Sequence, residues 1–144
     1  MTDATLDAAI AARVRDSFAR QNLMATFGAT LAGIAPGRVV IEAPVRDLAR
    51  QQHGFGHAGL TFALGDTAAG YAALTLMPPG AEVLTVEMKI NLIAPAAGDR
   101  LIATGRVVKA GRRLTVVTAE VEAEAGGARR TIALLQGTML PVEP

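Results

Sequence analysis

From residue 58 to 77 the chain carries a single charged side chain, Asp66, among alanines, leucines, glycines and threonines. Burying a lone carboxylate is expensive, so an Asp inside such a run needs a partner or a purpose. One reading is an Asp bonded to neighbouring hydroxyls or backbone. The other is a general base or nucleophile facing a pocket. Directly ahead lies Gln51-Gln52-His53-Gly54-Phe55-Gly56-His57-Ala58-Gly59, a glycine-rich approach to the same run. Small residues at a helix start leave backbone N–H groups unpaired and approachable. At the positive end of the dipole, such donors on Ala58 and Gly59 would suit a developing oxyanion. A plain helix N-terminus preceded by a turn is the alternative.

Geometry constrains how these groups could cooperate. Gly59 and Asp66 share a helix face, yet seven residues separate them by about 10 Å. One reacting carbonyl needs contacts near ~3 Å and cannot touch both. If both serve one reaction, the N–H groups of one chain must meet the Asp of another. The spacing therefore predicts a site across a homodimer interface.

The elements that must hold these residues follow from composition and periodicity. The chain has 144 residues, 51% hydrophobic and 19% charged, which is enough for one domain with a real core. We expect a single domain over 1–144. With 14 Lys+Arg against 13 Asp+Glu, interspersed, it is no polybasic nucleic-acid binder. The absence of cysteine excludes a disulfide scaffold, a thiol nucleophile and Cys-ligated zinc. An aromatic fraction of 3% argues against a stacking platform for single strands. No basic region followed by an apolar run opens the chain, so a cytoplasmic location without a secretory leader is expected. The 58–77 run approaches bilayer-spanning length. Its three glycines, its carboxylate and the lack of flanking Lys or Arg point instead to a buried central helix over 57–77.

Leu6, Ile10, Val14 and Phe18 fall four apart, predicting an amphipathic N-terminal helix within residues 1–20. Residues 25–34 and 39–45 read as a strand pair around Pro36-Gly37, and 46–56 as a loop. Beyond the central helix, Val86, Met88, Ile90 and Leu92 alternate with Thr85, Glu87, Lys89 and Asn91, a strand with one wet face. Strands over 101–109, 114–124 and 131–140 follow, divided by Gly111 and Gly126-Gly127. Four strands with short turns suggest an antiparallel meander, and a helix apolar all round must be covered. The predicted class is α+β, an antiparallel sheet wrapped around one long central helix.

Gln51, Gly54, His57-Ala58-Gly59 and Asp66, with Thr85 opening a strand and Ala94-Pro95 ending it, resemble the PaaI-like hotdog-fold thioesterases over roughly residues 20–140. The resemblance implies the hotdog fold, hydrolysis of aryl- or medium-chain acyl-CoA, and no metal or organic cofactor. It also implies a homodimer, or a dimer of dimers, with the active site at the subunit interface. By position it makes Asp66 the catalytic carboxylate, activating water or attacking the thioester directly. Ala58 stands where the family usually has a glycine whose N–H polarises the carbonyl. Gln51 matches an amide that positions water or thioester, and Thr85 a hydroxyl that helps hold the water, here facing away from the apolar stripe. His57 either supports the thioester at the pocket mouth or stabilises the turn. Lys109, Arg112 and Arg113, around Gly111, match basic turns that approach the CoA phosphates, or form a solvated hairpin end.

Phe55, Leu60, Phe62 and Leu64 serve packing or line an acyl pocket. Two other functions use similar residues. A hotdog-fold dehydratase acting on hydroxyacyl thioesters would pair His53 with Asp66, but their spacing is one residue short of that pattern. A non-catalytic acyl-CoA binding module would hold the ligand without turning it over. A metal site is poorly supported, since His53 and His57 have no further ligand nearby.

Overall fold

The structure, a computed structural model, describes residues 5–144. Residues 1–4, which include the expected helix start at Asp3 and the beginning of the chain, lie outside the described residues. Helix α1 spans Ala8–Ala19 and is opened by Asp7, whose carboxylate accepts the Ala9 N–H at 2.7 Å. A short helix α2, Asn22–Phe27, follows. Strand β1 therefore begins only at Thr30 and runs to Ala35, later than the expected start at residue 25. Met24 explains the difference: on a helical turn it reaches the core and is fully buried. Gly28 then ends the helix at φ 68°, a conformation that glycine tolerates best.

Strand β2, Arg38–Pro44, pairs back on β1 around Gly37, and a 3-10 turn over Asp47–Ala49 leads into the glycine-rich segment. Helix α3 covers Ala58–Leu74 and is followed by β3 (Glu82–Leu92), β4 (Arg100–Ala110), β5 (Thr115–Ala125) and β6 (Ala128–Val142). These make one six-stranded antiparallel sheet in the order β1-β2-β4-β5-β6-β3. The expected meander holds for β4–β6 only. Strand β3 lies at the far edge beside β6, and residues 93–99 carry the chain back across to β4. Ala96 on that crossing pairs with Gly56, which ties the crossing to the segment that opens α3.

The sheet curls around α3, whose Leu60, Leu64, Ala68, Ala69, Ala72 and Leu74 are buried. Strand β4 meets the helix most closely at Gly105, where a Cβ would overlap the Ala68 carbonyl. The helix is not covered all round, however. Ala58, Gly59 and Phe62 are exposed, and Asp66 and Thr67 are half-buried, which marks an open stripe along one side. At 17 residues, α3 is not long and apolar enough to cross a membrane, and nor is any other described helix. Helix α1 lies against its C-terminal half. Phe18 meets Tyr71 edge to face at 6.3 Å, and the Arg13 guanidinium donates to the carbonyls of Leu74, Met77 and Pro78. A cation at that end complements the helix dipole.

Candidate active site

Asp66 projects from α3 towards β3, where the Thr85 hydroxyl donates to its Oδ1 at 2.7 Å. This corrects the expectation that Thr85 faces away from the apolar stripe. A bulge between Thr85 and Glu87 adds one unpaired residue, Val86, so Thr85 lies on the helix side together with Met88 and Ile90. Its partner across the ladder is the fully buried Met139. A strict period of two cannot reveal this, because a bulge reverses the alternation. Burial pushes the Asp66 carboxyl above its ordinary value of 3.8, and the Thr85 hydrogen bond pulls the other way. The carboxylate opens on a cavity of about 160 Å³ that is also lined by Gln21, Gly70, Tyr71 and Val83.

Gln21 and Tyr71 were not among the candidates drawn from the sequence. The Tyr71 hydroxyl accepts from Gln21 Nε2 at 2.8 Å and lies 3.0 Å from Ser17 Oγ. The one tyrosine of the chain, five residues beyond Asp66, was the available signal. Gln21 offered none, because its arrival depends on how α1 and α2 dock.

The start of α3 opens on a different, larger cavity of about 550 Å³, lined by Gln51, Phe55, His57, Ala58, Thr61 and residues 92–96 among others. His57 caps the helix, and its Nδ1 accepts the Gly59 N–H at 2.7 Å. An accepting Nδ1 leaves the ring proton on Nε2. The Gly59 N–H is thus engaged, contrary to the expectation that it faces substrate. The Ala58 N–H has no hydrogen-bond partner among the described residues, and Ala58 is exposed. Gln51 Oε1 accepts from the His53 N–H at 2.5 Å, which leaves the Gln51 amide N–H groups for the cavity. His53 itself is exposed in the loop and lines neither cavity.

Within one chain these two groups of residues do not meet. Ala58 and Asp66, eight residues apart on one helix, are separated by about 12 Å. Lys109, Arg112 and Arg113 surround the exposed β4–β5 hairpin. By register this is the end of the sheet where Thr85, Met139 and Thr115 align, opposite the end that holds the Ala58 cavity.

Comparison with known proteins agrees with this architecture. The model of the thioesterase superfamily matches residues 53–128, which include Ala58, Asp66 and Thr85. Acyl-coenzyme A thioesterase 13 of Homo sapiens is 32% identical over 99 residues, 68% of this chain and 70% of that protein. The crystal structure of a thioesterase family protein from Silicibacter pomeroyi is 47% identical, with a TM-score of 0.92 over 94% of this chain and 99% of that one. The E. coli PaaI protein, at 22% identity, shares the fold, with a TM-score of 0.83 over 96% of each chain. A sheet curled around one helix, a carboxylate on that helix and these relatives agree: the chain belongs to the thioesterase superfamily, as a thioester hydrolase of the hotdog fold.

Proposed function

We propose that the protein hydrolyses an acyl-CoA, with an aryl or medium-chain acyl group, to the free acid and CoA. The supporting observation is the separation of a free Ala58 N–H from the Asp66–Thr85 pair, combined with a bare edge strand between them. Among the described residues strand β3 pairs with β6 alone, so its other edge offers unpaired N–H and C=O groups. Leu84 and Val86 are 55% and 52% exposed on it. Thr85 lies near the start of β3, while Leu92 at its end lines the Ala58 cavity. If two copies pair antiparallel along β3 in the register that sets Thr85 opposite Leu92, the Asp66 end of one chain meets the Ala58 cavity of the other. A two-fold dimer then builds two sites, each with an Ala58 N–H from one chain and Asp66 from its partner. A dimer of dimers is compatible with that pairing, and a cytoplasmic location is part of the same proposal.

In this reading the Ala58 N–H polarises the thioester carbonyl, and Gln51 orients it from the same cavity. Asp66 acts as general base or nucleophile. As base it takes a proton from water while the oxygen attacks the carbonyl carbon. The C–S bond then breaks, and the CoA thiolate leaves and regains a proton. Thr85 holds the carboxylate and, through it, the water. The reaction needs no metal or organic cofactor. No observation favours a dehydratase, since His53 is exposed and lines neither cavity.

Free-thiol release from short-chain, medium-chain and aryl-CoA substrates, with wild type beside Asp66→Asn, tests the proposal. Hydrolysis that vanishes in the variant is expected. A full-rate Asp66→Asn protein would overturn the role of Asp66, and an active monomer would overturn the shared site.

A further inference from the structure

A second cavity, of about 280 Å³, adjoins the Ala58 cavity and shares Phe55, Pro95 and Ile132 with it. Its remaining lining is Ala97, Ala123, Ala125 and Ala128, with Arg129 and Arg130 at its border. The two arginines differ in placement because of another bulge. Val121 pairs with Ala133 but Glu122 with Thr131, so Ile132 is the extra residue in β6. Below it, Arg130 pairs with the buried Ala123 and shares its helix-facing side, whereas Arg129 shares the outer face with Glu124.

On the outer face the charges are mutually compensated. Arg129 reaches Glu124 at 2.8 Å and Glu122 at 4.0 Å, and Arg100 bridges Glu42 at 2.7 Å and Glu124 at 2.9 Å. Arg130 has no carboxylate within ion-pair distance among the described residues. An uncompensated guanidinium therefore borders a shelf of alanines and Phe55, and the shelf continues into the cavity that holds the Ala58 N–H.

We propose that this shelf seats the nucleotide end of coenzyme A, with Arg130 facing one of its phosphates and the adenine lying on the apolar floor. The thioester arm then passes the neck of Phe55, Pro95 and Ile132 to reach Ala58. This rests on the acyl-CoA reading, and within one chain it places the phosphates at the opposite end of the sheet from that chain's own Lys109, Arg112 and Arg113. A guanidinium supplies two parallel N–H donors to a phosphate, which a neutral amide cannot replace.

The test compares one acyl group carried on CoA with the same group carried on N-acetylcysteamine, which has no phosphate. Arg130→Gln is expected to raise KM for the acyl-CoA about tenfold, with little change in kcat and no such rise on the short thioester. Arg130→Lys should recover part of the loss, and added salt should raise the wild-type KM for acyl-CoA more than that of Arg130→Gln. An unchanged KM for acyl-CoA, an equal loss on both thioesters, or a KM rise only in Arg112→Gln/Arg113→Gln would overturn the proposal. Calorimetric titration with CoA itself separates the two readings. If wild type hydrolyses no acyl-CoA yet binds CoA about tenfold more tightly than Arg130→Gln does, the hydrolytic reading fails and the seat stands. If CoA binds both proteins equally, the seat is wrong.

Discussion

The Gly59 N–H is given to Nδ1 of His57, 2.7 Å away, which leaves the Ala58 N–H at the head of α3 without a partner among the described residues. The two adjacent amides thus have different fates. One closes the cap, and the other belongs to a residue that lines the larger cavity. His57 serves as the residue that sorts them.

Ala58 is the first residue of the helix, where proline fits well and costs only an N–H that no intrahelical bond uses. His57 has φ -63° and ψ 144°, the extended conformation that a residue before proline adopts. Ala58→Pro should therefore fold and assemble normally while losing at least about tenfold in kcat, in keeping with removal of an oxyanion donor. Mixing it with Asp66→Asn gives a sharper readout. In a shared-site dimer, half of randomly formed dimers are hybrids with one intact site, so about a quarter of wild-type activity returns. No recovery after subunit exchange would place both groups in one chain.

Asp66→Asn has a second expected consequence, in stability. The native state holds the Asp66 proton more tightly than the unfolded chain, because burial raises the carboxyl above 3.8. Stability is therefore lost as pH rises through the window between the unfolded and folded values, and the full cost is present above it. The Asn variant should melt above wild type at neutral pH, and the gap should close on acidification through that window. Melting curves across a pH series check this, and the acid limb of kcat/KM should lie above the range of an ordinary aspartate.

Thr85→Val keeps the shape of the side chain and removes the donor to Oδ1. A hydrogen bond to a charged group contributes about 1.5 kcal/mol, so the rate should fall about tenfold. The acid limb should also move further up, because burial would then act unopposed. Thr85→Ser should retain most of the rate. A Val variant with a wild-type profile would show that the hydroxyl does not steady the carboxylate.

Gly105→Ala tests how firmly the sheet holds α3. A Cβ would meet the Ala68 backbone, which cannot swing aside as a flexible side chain can. Loss of about 1–3 kcal/mol or more is expected, read as a lowered Tm. Gly33→Ala is the control, since a Cβ there makes only ordinary contacts with Val40, 3.8 Å away.

Some of this was legible in the chain because it depends on local pattern. Asp66 stood out as the lone charge in a wholly apolar run. The helix around it, the strands beyond it and the glycine-rich approach carry their own periodicity and turn residues. The rest depended on pairing across the sheet. The position of β3 at the far edge follows from which strands hydrogen-bond, which no local pattern states. The Thr85 direction was hidden by the Val86 bulge, and Met24 turned 25–27 helical only because the core lay within reach of that turn. His57 could be seen as a turn residue or a pocket residue. It proves to be both cap and lining, since a helix cap at a cavity mouth occupies both places.

The bulge at Val86 also makes the Thr85 end of β3 a matter of parity. Between Thr85 and Met88, one residue more or fewer would point the hydroxyl towards solvent and leave Asp66 without its donor. A change of two would restore the facing but slide Thr85 by about 7 Å, one full pleat repeat. Length variation in this stretch is therefore restricted by odd and even steps as well as by side-chain chemistry, a constraint that composition alone does not express.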